Sequence, residues 1–174
     1  MKEMLRYGFI LALICVVASG LLAGVNALTR ARIMNQASAE EEAALLEVLP
    51  QAIHFEPVKS DSEIIYYKGY NKDNQFVGVA FKTSGKGYSS TIETMVGMAQ
   101  DGTITAIKIL SQNETPGLGA GIVEPAFRRQ FVKRNIQGLA GVQAITGATI
   151  SSRAVIDSVK KRAEEIKALI KDEK

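Results

Sequence analysis

The feature that most constrains this chain is a stretch near its N-terminus, from Tyr7 to Leu28, that contains no charged residue. Leu, Ile, Val, Ala and Gly dominate the stretch, and about 20 apolar residues are enough for one helix across a membrane. Lys2 and Arg6 precede it, as in a secretory signal. However, the apolar run exceeds the roughly 7–15 residues of a signal core, and no clean Ala-x-Ala site closes it. We therefore predict an uncleaved, single-pass transmembrane helix over this stretch, behind a tail of residues 1–6.

The charge and the composition of the chain exclude several classes of function. A net charge of +3 is too small to indicate nucleic-acid binding, and no nucleic-acid motif accompanies it. The chain has one cysteine and one histidine, so neither an intrachain disulfide nor a metal site is predicted. Lys2 and Arg6 on one side of the apolar stretch are balanced by Arg30 and Arg32 on the other. Basic residues therefore leave the orientation in the membrane open.

The rest of the chain predicts a helical connector over residues 29–62 and one domain over residues 63–174. In the connector, Ser38 followed by three glutamates predicts a helix start, and Pro50 predicts its end. The domain has α+β character, because four β-rich runs are followed by two helical segments. Short turns between the runs favour a mainly antiparallel sheet. The predicted strands are 63–70, 76–83, 91–99 and 103–110, with Asp101-Gly102 as a two-residue hairpin turn, and the predicted helices are 125–134 and 152–171.

A Thr146-Gly147-Ala148-Thr149 segment, followed by Ile150-Ser151-Ser152, lies where the last helix is predicted to begin. The first N–H groups of a helix lack intrahelical acceptors and carry the positive end of the helix dipole, so helix starts attract anions. Gly147 and Ala148 leave room for a phosphate to approach the backbone. A simple N-cap is the alternative, because Thr and Ser are common there for that reason alone.

Two glycine-containing loops interrupt the α+β pattern. The first, Gly85-Lys86-Gly87-Tyr88, lies between two predicted strands and offers Tyr88 as a surface for a flat ligand; a plain turn or bulge is the alternative. The second runs from Asn113 to Gly121, and its Pro116-Gly117 pair fits the centre of a type II turn.

Better-known nucleotide motifs do not explain the second loop. Its glycines are spaced GxGxG, without the third glycine of the dinucleotide fingerprint, and the acid expected about 20 residues later is missing. No GxxxxGK[ST] sequence is present. Thr149 is also a poor candidate for a hydrolytic nucleophile, because no activating base is evident near it. No catalytic residue is therefore predicted.

The window between Glu124 and Asp157 contains no acid. The positive field of the basic residues in this window favours a bound phosphate or an anionic reduced cofactor. We hypothesise that Arg153 contributes to this field. The alternative is a solvated helix face, or one turned toward anionic lipid. The basic residues of the window are Arg128, Arg129, Lys133, Arg134 and Arg153.

Taken together, Gly87-Tyr88, Asn113–Gly119 and Thr146–Ser151 resemble the FMN-binding domain of the G subunit of Rnf complexes. The same domain occurs in the C subunit of the sodium-pumping NADH:quinone oxidoreductase. The specific part of the resemblance covers roughly residues 85–152, and the single anchor extends it to the whole layout. The family commonly has Ser at the position of Thr146 and Thr at that of Ser151, and it often has an acid where Gln143 stands.

The resemblance implies that the phosphate of FMN is esterified to Thr149 by a separate flavin transferase that uses FAD and Mg²⁺. It further implies that Thr146, Gly147, Ala148 and Ser151 shape the phosphate end. The walls around the flavin ring would come from Tyr88 and from the second loop, namely Glu114, Thr115, Pro116, Gly117, Leu118 and Gly119.

The function implied by the resemblance is electron relay in a membrane complex that couples ferredoxin:NAD⁺ electron flow to Na⁺ or H⁺ translocation. The chain would be a redox subunit that is not catalytic alone, anchored in lipid beside the other Rnf subunits, with its domain on the extracytoplasmic face. Two alternatives stay open. One is the C subunit of a sodium-translocating NADH:quinone oxidoreductase, and the other is a non-redox, membrane-anchored binding or assembly module.

Overall fold

The structure, a computed structural model, describes residues 2–60 and 63–172 and divides into two compact units, residues 1–40 and 41–174. Helix α1 runs from Lys2 to Val48. Its segment Glu3–Arg30 is long and apolar enough to cross a membrane, and all of its side chains that are described there are exposed. The predicted helix start at Ser38 is wrong, because α1 continues through it without a break. The Ser38 hydroxyl instead donates to the carbonyl of Met34, one turn earlier, at 3.1 Å.

The second unit is built on one five-stranded sheet with strands in the order β1-β2-β3-β4-β5. Every neighbouring pair is antiparallel, which confirms the prediction of an antiparallel α+β domain. The strands are β1 (His54–Ser60), β2 (Glu63–Tyr70), β3 (Phe76–Lys86), β4 (Thr91–Ala99) and β5 (Ile104–Ser111).

Strand β1 lies within residues 29–62, for which the sequence predicted a helical connector. Its sequence contains Pro57, which removes a backbone donor and therefore weakens any sequence-based strand prediction. Pro57 is tolerated because β1 lies at the edge of the sheet and pairs only with β2 among the described strands. The domain therefore contains more of the connector than the sequence indicated.

One turn and two helices also differ in detail from the sequence prediction. The β4–β5 hairpin has a three-residue loop, because the N–H of Ala99 bonds the carbonyl of Thr103 and Gly102 adopts φ +87°. The predicted helix over 125–134 is a single turn, α2 (Pro125–Arg128), followed by a 3₁₀ turn (Arg129–Phe131). Helix α3 spans Thr149–Asp172 and so begins three residues earlier than predicted.

The sheet is covered on both faces, since alternate residues of a strand point to opposite sides. The end of α1 packs Ala44, Leu45 and Val48 against Ala80 and Met95. The second cluster, on the face toward α3, is larger. It includes Phe81, Val96 and Met98 of the sheet, Phe127 and Phe131 of the α2 region, and Val155, Val159 and Ile166 of α3.

Two ion-pair groups fix the end of α1 to the sheet. Glu41 lies 2.6 Å from the ammonium of Lys82 and accepts a hydrogen bond from the Tyr67 hydroxyl at 2.6 Å. Glu47 lies 2.8 Å from both Lys108 and Arg128. These contacts lie within the second unit, which contains residues 41–48 of α1 together with the sheet.

Candidate functional site

The site is organised around the carboxylate of Glu114, which follows β5 and is only 6% exposed. One oxygen, Oε1, accepts the N–H groups of Ser89 and Ser90, both at 3.0 Å. The other, Oε2, accepts the N–H of Tyr88 at 3.2 Å and the hydroxyl of Ser151 at 2.5 Å. The Ser90 hydroxyl adds a fifth donor at 3.3 Å. The carboxylate therefore joins the β3–β4 loop, its own loop and the first turn of α3.

These donors determine the charge state of Glu114. Burial by itself raises the pKa of the carboxyl, because it disfavours the charged form. The Ser151 hydroxyl and the backbone N–H groups of Ser90, Ser89 and Tyr88 oppose this by stabilising the anion. The net result is that the pKa of Glu114 lies below its ordinary value. Glu114 is therefore ionised at neutral pH.

Close packing around this carboxylate explains two of the glycines. A Cβ atom on Gly119 would lie 2.7 Å from the Ser151 hydroxyl oxygen and 2.8 Å from Glu114 Oε2. A Cβ atom on Gly87 would lie 2.5 Å from Glu114 Oε1 and 2.8 Å from Ile92. Neither position can hold a larger residue without moving the carboxylate or its donors.

Two turns of the same kind face each other in the site. Leu118 donates its N–H to the carbonyl of Thr115 at 3.1 Å, with Gly117 at φ +76°. Ala148 donates to Ile145 at 2.9 Å, with Gly147 at φ +79°. A positive φ at the third residue is the signature of a type II turn. The first turn was predicted from Pro116-Gly117 and is confirmed, whereas the second was not foreseen.

Helix α3 begins directly after the second turn. Ser152 donates its N–H to the carbonyl of Ala148 at 3.0 Å, so Ala148 occupies the N-cap position and Thr149 is the first helical residue. The N–H groups of Thr149, Ile150 and Ser151 therefore have no acceptor within the helix. The buried Ser152 hydroxyl accepts the N–H of Ile145 at 3.0 Å and ties the turn to the helix. The Thr149 side chain stays exposed.

A cavity of about 410 Å³ lies between these segments. Of the residues predicted to bind a cofactor, the lining includes Tyr88, Glu114, Thr115, Leu118, Gly119, Gly147, Ala148, Thr149 and Ser151. It also includes Ile150, which the sequence did not single out. Thr146, Pro116 and Gly117 are not among the lining residues described; they are the central residues of the two turns and are exposed. Their contact with a cofactor stays a prediction.

The lining fits a flavin nucleotide in chemistry and in size. The volume lies within the roughly 300–1,000 Å³ typical of small-molecule sites. Tyr88, Leu118 and Ile150 are 72%, 49% and 56% exposed, so they offer apolar surface for a ring. The N–H groups at the start of α3, which have no acceptor within the helix, and the hydroxyl of Thr149 suit a phosphate. An apolar surface and a helix start that suits a phosphate therefore meet in one cavity.

The five basic residues of the acid-free window do not line this cavity among the residues described. Arg128 pairs with Glu47 and donates to the carbonyl of Val123. Arg134 donates to the carbonyls of Gln130 and Gly138. These two guanidinium groups therefore support the fold around α2. Arg153 is exposed one helical turn after Thr149, and its influence on a cofactor stays a prediction.

Several residues that build the site carried no clear signal in the sequence. Ser89 and Ser90 act through hydrogen bonds to Glu114, 25 and 24 residues further along the chain, which no local pattern reveals. Ser152 acts through a shorter bond, to Ile145 seven residues earlier. The one available signal is Glu114 itself, an acid within a glycine-rich loop.

Comparison with known proteins agrees with this geometry. A family model described as the FMN-binding domain matches residues 87–164, and one described as the RnfG N-terminal region matches residues 1–48. The fold, the cavity and the family match together define the class of the protein. It is a membrane protein with an FMN-binding domain.

More specifically, the chain belongs to the RnfG family, the G subunits of Rnf-type ion-translocating oxidoreductase complexes. It is 33% identical to the G subunit of the ion-translocating oxidoreductase complex of Methanosarcina acetivorans, over 96% of both chains. It is also 33% identical to the G subunit of the Na⁺-translocating ferredoxin:NAD⁺ oxidoreductase complex of Acetobacterium woodii, over 91% of this chain and 89% of that one.

A solved structure shares the fold. The C subunit of the Na⁺-translocating NADH-quinone reductase from Parabacteroides distasonis superposes with a TM-score of 0.54 at 22% identity, covering 75% of this chain and 82% of that chain.

Proposed function

We propose that this chain is the flavin-carrying electron-transfer subunit of a membrane-bound, ion-translocating ferredoxin:NAD⁺ oxidoreductase complex. Its FMN is joined through the phosphate to the hydroxyl oxygen of Thr149. The observation that carries the proposal is the position of Thr149, an exposed hydroxyl at the first residue of α3 within a cavity of about 410 Å³. The family membership of the chain and the names of its relatives support the same complex.

Attachment requires a second enzyme, because none of the lining residues that the structure describes is free to act as a base for Thr149. Glu114, the carboxylate among the described lining residues, is already occupied by five donors. A flavin transferase that uses FAD and Mg²⁺ would join the Thr149 oxygen to the phosphorus of the FMN half. The diphosphate bond of FAD breaks, AMP leaves, and the transferase removes the hydroxyl proton of Thr149.

When bound, FMN supplies the electron-carrying chemistry; the residues of this chain hold it and shape its surroundings. The N–H groups at the start of α3 stabilise the phosphate charge. Tyr88, Leu118 and Ile150 offer their exposed apolar surfaces to the ring. The hydrogen bonds of Glu114 keep these surfaces and the start of α3 in fixed relation. Electrons come from and pass to other redox subunits of the complex, with ferredoxin oxidised and NAD⁺ reduced overall.

The anchor gives this carrier its place in the complex. The segment Glu3–Arg30 crosses the bilayer once and contacts lipid, and the family resemblance supports an extracytoplasmic position for the domain. Among the two related branches, the match of residues 1–48 to the RnfG N-terminal region favours the Rnf complex over the quinone reductase.

Co-expression of the full chain with a flavin transferase tests the proposal. The expected result is a fluorescent protein band in a denaturing gel, which disappears in Thr149→Ala and persists in the control Thr146→Ala. A wild-type band that stays dark beside an active transferase would favour a non-redox binding or assembly module and would overturn the proposal.

A further inference from the structure

The cavity beside Thr149 contains one charge. Glu114 is the single ionised side chain among the lining residues that the structure describes; the others are glycines, hydroxyl residues and apolar or aromatic residues. It is 6% exposed, so water screens its charge much less than the charge of a surface residue. Any group held in the cavity therefore experiences the field of this carboxylate.

The carboxylate has no counterion among the described residues. It forms no ion pair there, and its five partners are three backbone N–H groups and two hydroxyls, all neutral. Dipoles of this kind solvate an anion and keep it ionised, but they do not cancel its net charge as an Arg or a Lys would. The cavity wall therefore carries an uncompensated negative charge.

A simpler role, holding three segments together, does not by itself require a charge. A glutamine amide has the same shape and could accept the N–H groups of Ser89 and Ser90 through its carbonyl oxygen. What a glutamine lacks is the charge and one acceptor, because its NH2 group replaces an oxygen and cannot accept the N–H of Tyr88. Glutamine therefore removes the charge of residue 114 while it keeps the hydrogen bonds from the N–H groups of Ser89 and Ser90.

We propose that the Glu114 carboxylate lowers the reduction potential of the cofactor held beside Thr149. The inference rests on the proposed function, since it requires a flavin in the cavity. Addition of an electron to a group next to a fixed anion is disfavoured by Coulomb repulsion, and low screening preserves this effect in a buried site. The electron comes from a redox donor of the complex and leaves to a redox acceptor, so Glu114 changes the free energy of the step without exchanging electrons or protons itself.

Redox titration of the flavin-loaded full chain tests the inference. The midpoint potential of Glu114→Gln is expected to shift to a more positive value than wild type. Ser151→Ala keeps the charge and removes the hydroxyl that donates to it at 2.5 Å, so its potential is expected to shift to a more negative value. Arg153→Gln removes one charge from an exposed position, and screening by water should limit it to a smaller, negative shift.

The outcomes separate this inference from the function on which it rests. A wild-type chain that takes up no flavin overturns both. If the wild-type chain takes up flavin but the midpoint potential of Glu114→Gln equals that of wild type or is more negative, only the proposed role of the charge is overturned. If Glu114→Gln fails to fold, Ser151→Ala decides: a negative shift supports the inference, and an unchanged or positive potential overturns it.

Discussion

The Cδ2 atom of Leu118 lies 3.3 Å from the position that a Cβ atom on Gly147 would occupy, so the two type II turns of the site are in contact. Gly147 also has φ +79°, a conformation that costs an L-residue about 1–2 kcal/mol. We therefore expect Gly147→Ala to lower the free energy of unfolding by about 2 kcal/mol and to reduce flavin attachment to Thr149. Thermal unfolding of the full chain in detergent and in-gel fluorescence measure the two effects.

Gly117→Ala is the matched control for this prediction. Gly117 has φ +76°, but a Cβ atom there would meet nothing within 4 Å. Gly117→Ala should therefore introduce the backbone strain alone and lower the free energy of unfolding by about 1 kcal/mol. Equal decreases in the free energy of unfolding for the two variants would show that the contact between Leu118 and Gly147 is unimportant.

A second prediction concerns an unpaired hydroxyl beneath α3. Thr94 of β4 is fully buried, and its hydroxyl has no hydrogen-bond partner among the described residues. An unsatisfied buried hydroxyl costs about 1–3 kcal/mol. Thr94→Val, which keeps the shape, is therefore expected to raise the free energy of unfolding by about 1 kcal/mol, measured as an increase in melting temperature.

Thr83 provides the opposite case at the paired position of β3. Its hydroxyl donates to the carbonyl of Ser158 on α3 at 3.0 Å. Thr83→Val should therefore destabilise the chain by about 1 kcal/mol. A stabilising Thr83→Val, or a destabilising Thr94→Val, would contradict this assignment of partners.

A third prediction follows from the packing of Gly119 against Ser151 and Glu114. Gly119→Ala places a methyl group within 3 Å of both polar oxygens, so it must break their hydrogen bond or shift the loop. We expect Gly119→Ala to lower the free energy of unfolding by about 1–3 kcal/mol, the range for overpacked sites. Gly121→Ala is the control, because its Cβ would lie 3.4 Å from Ile145, an ordinary contact. Similar melting temperatures for the two variants would argue against a rigid site.

Stability should depend on pH through Glu114. Its pKa is lowered in the folded chain, because the donors from Ser151 and the Tyr88–Ser90 backbone outweigh burial. This contribution is complete above the pKa of the unfolded chain, about 4.3, and is lost as the pH falls through the lower pKa of the folded chain. The stability difference between wild type and Glu114→Gln should therefore shrink on acidification from about pH 5. A difference in melting temperature between wild type and Glu114→Gln that stays the same at every pH would contradict the lowered pKa of Glu114.

The parts of the fold that follow local rules were predictable from the sequence. The apolar stretch, the antiparallel strands β2 to β5 and the Pro116-Gly117 turn depend on hydrophobic patterning and on residues with restricted φ. Local rules were insufficient at Ser38, where a common helix-start pattern lies inside a helix that continues through it. They were also insufficient at β1, where Pro57 hides a strand that exists because β2 pairs with it.

The sequence motifs identified most of the residues that line the cavity, but not the hydrogen bonds between them. The motifs identified Glu114, Ser151 and Thr149 as members of one site, yet they assigned Glu114 to the wall of the cavity only. Its bond to Ser151 joins positions 37 residues apart, and no spacing rule encodes such a pair. The bond between Ile145 and Ser152, which positions the start of α3, spans only seven residues.

The most direct test of the central claim is peptide mass spectrometry of the full chain co-expressed with a flavin transferase. The proposed function predicts that the peptide containing Thr149 gains the mass of one FMN less one water, with fragmentation placing the added group on Thr149 itself. Thr149→Ala should lack the addition, and Thr146→Ala should retain it. An unmodified Thr149 peptide beside an active transferase, or an addition located on Thr146, would contradict the account.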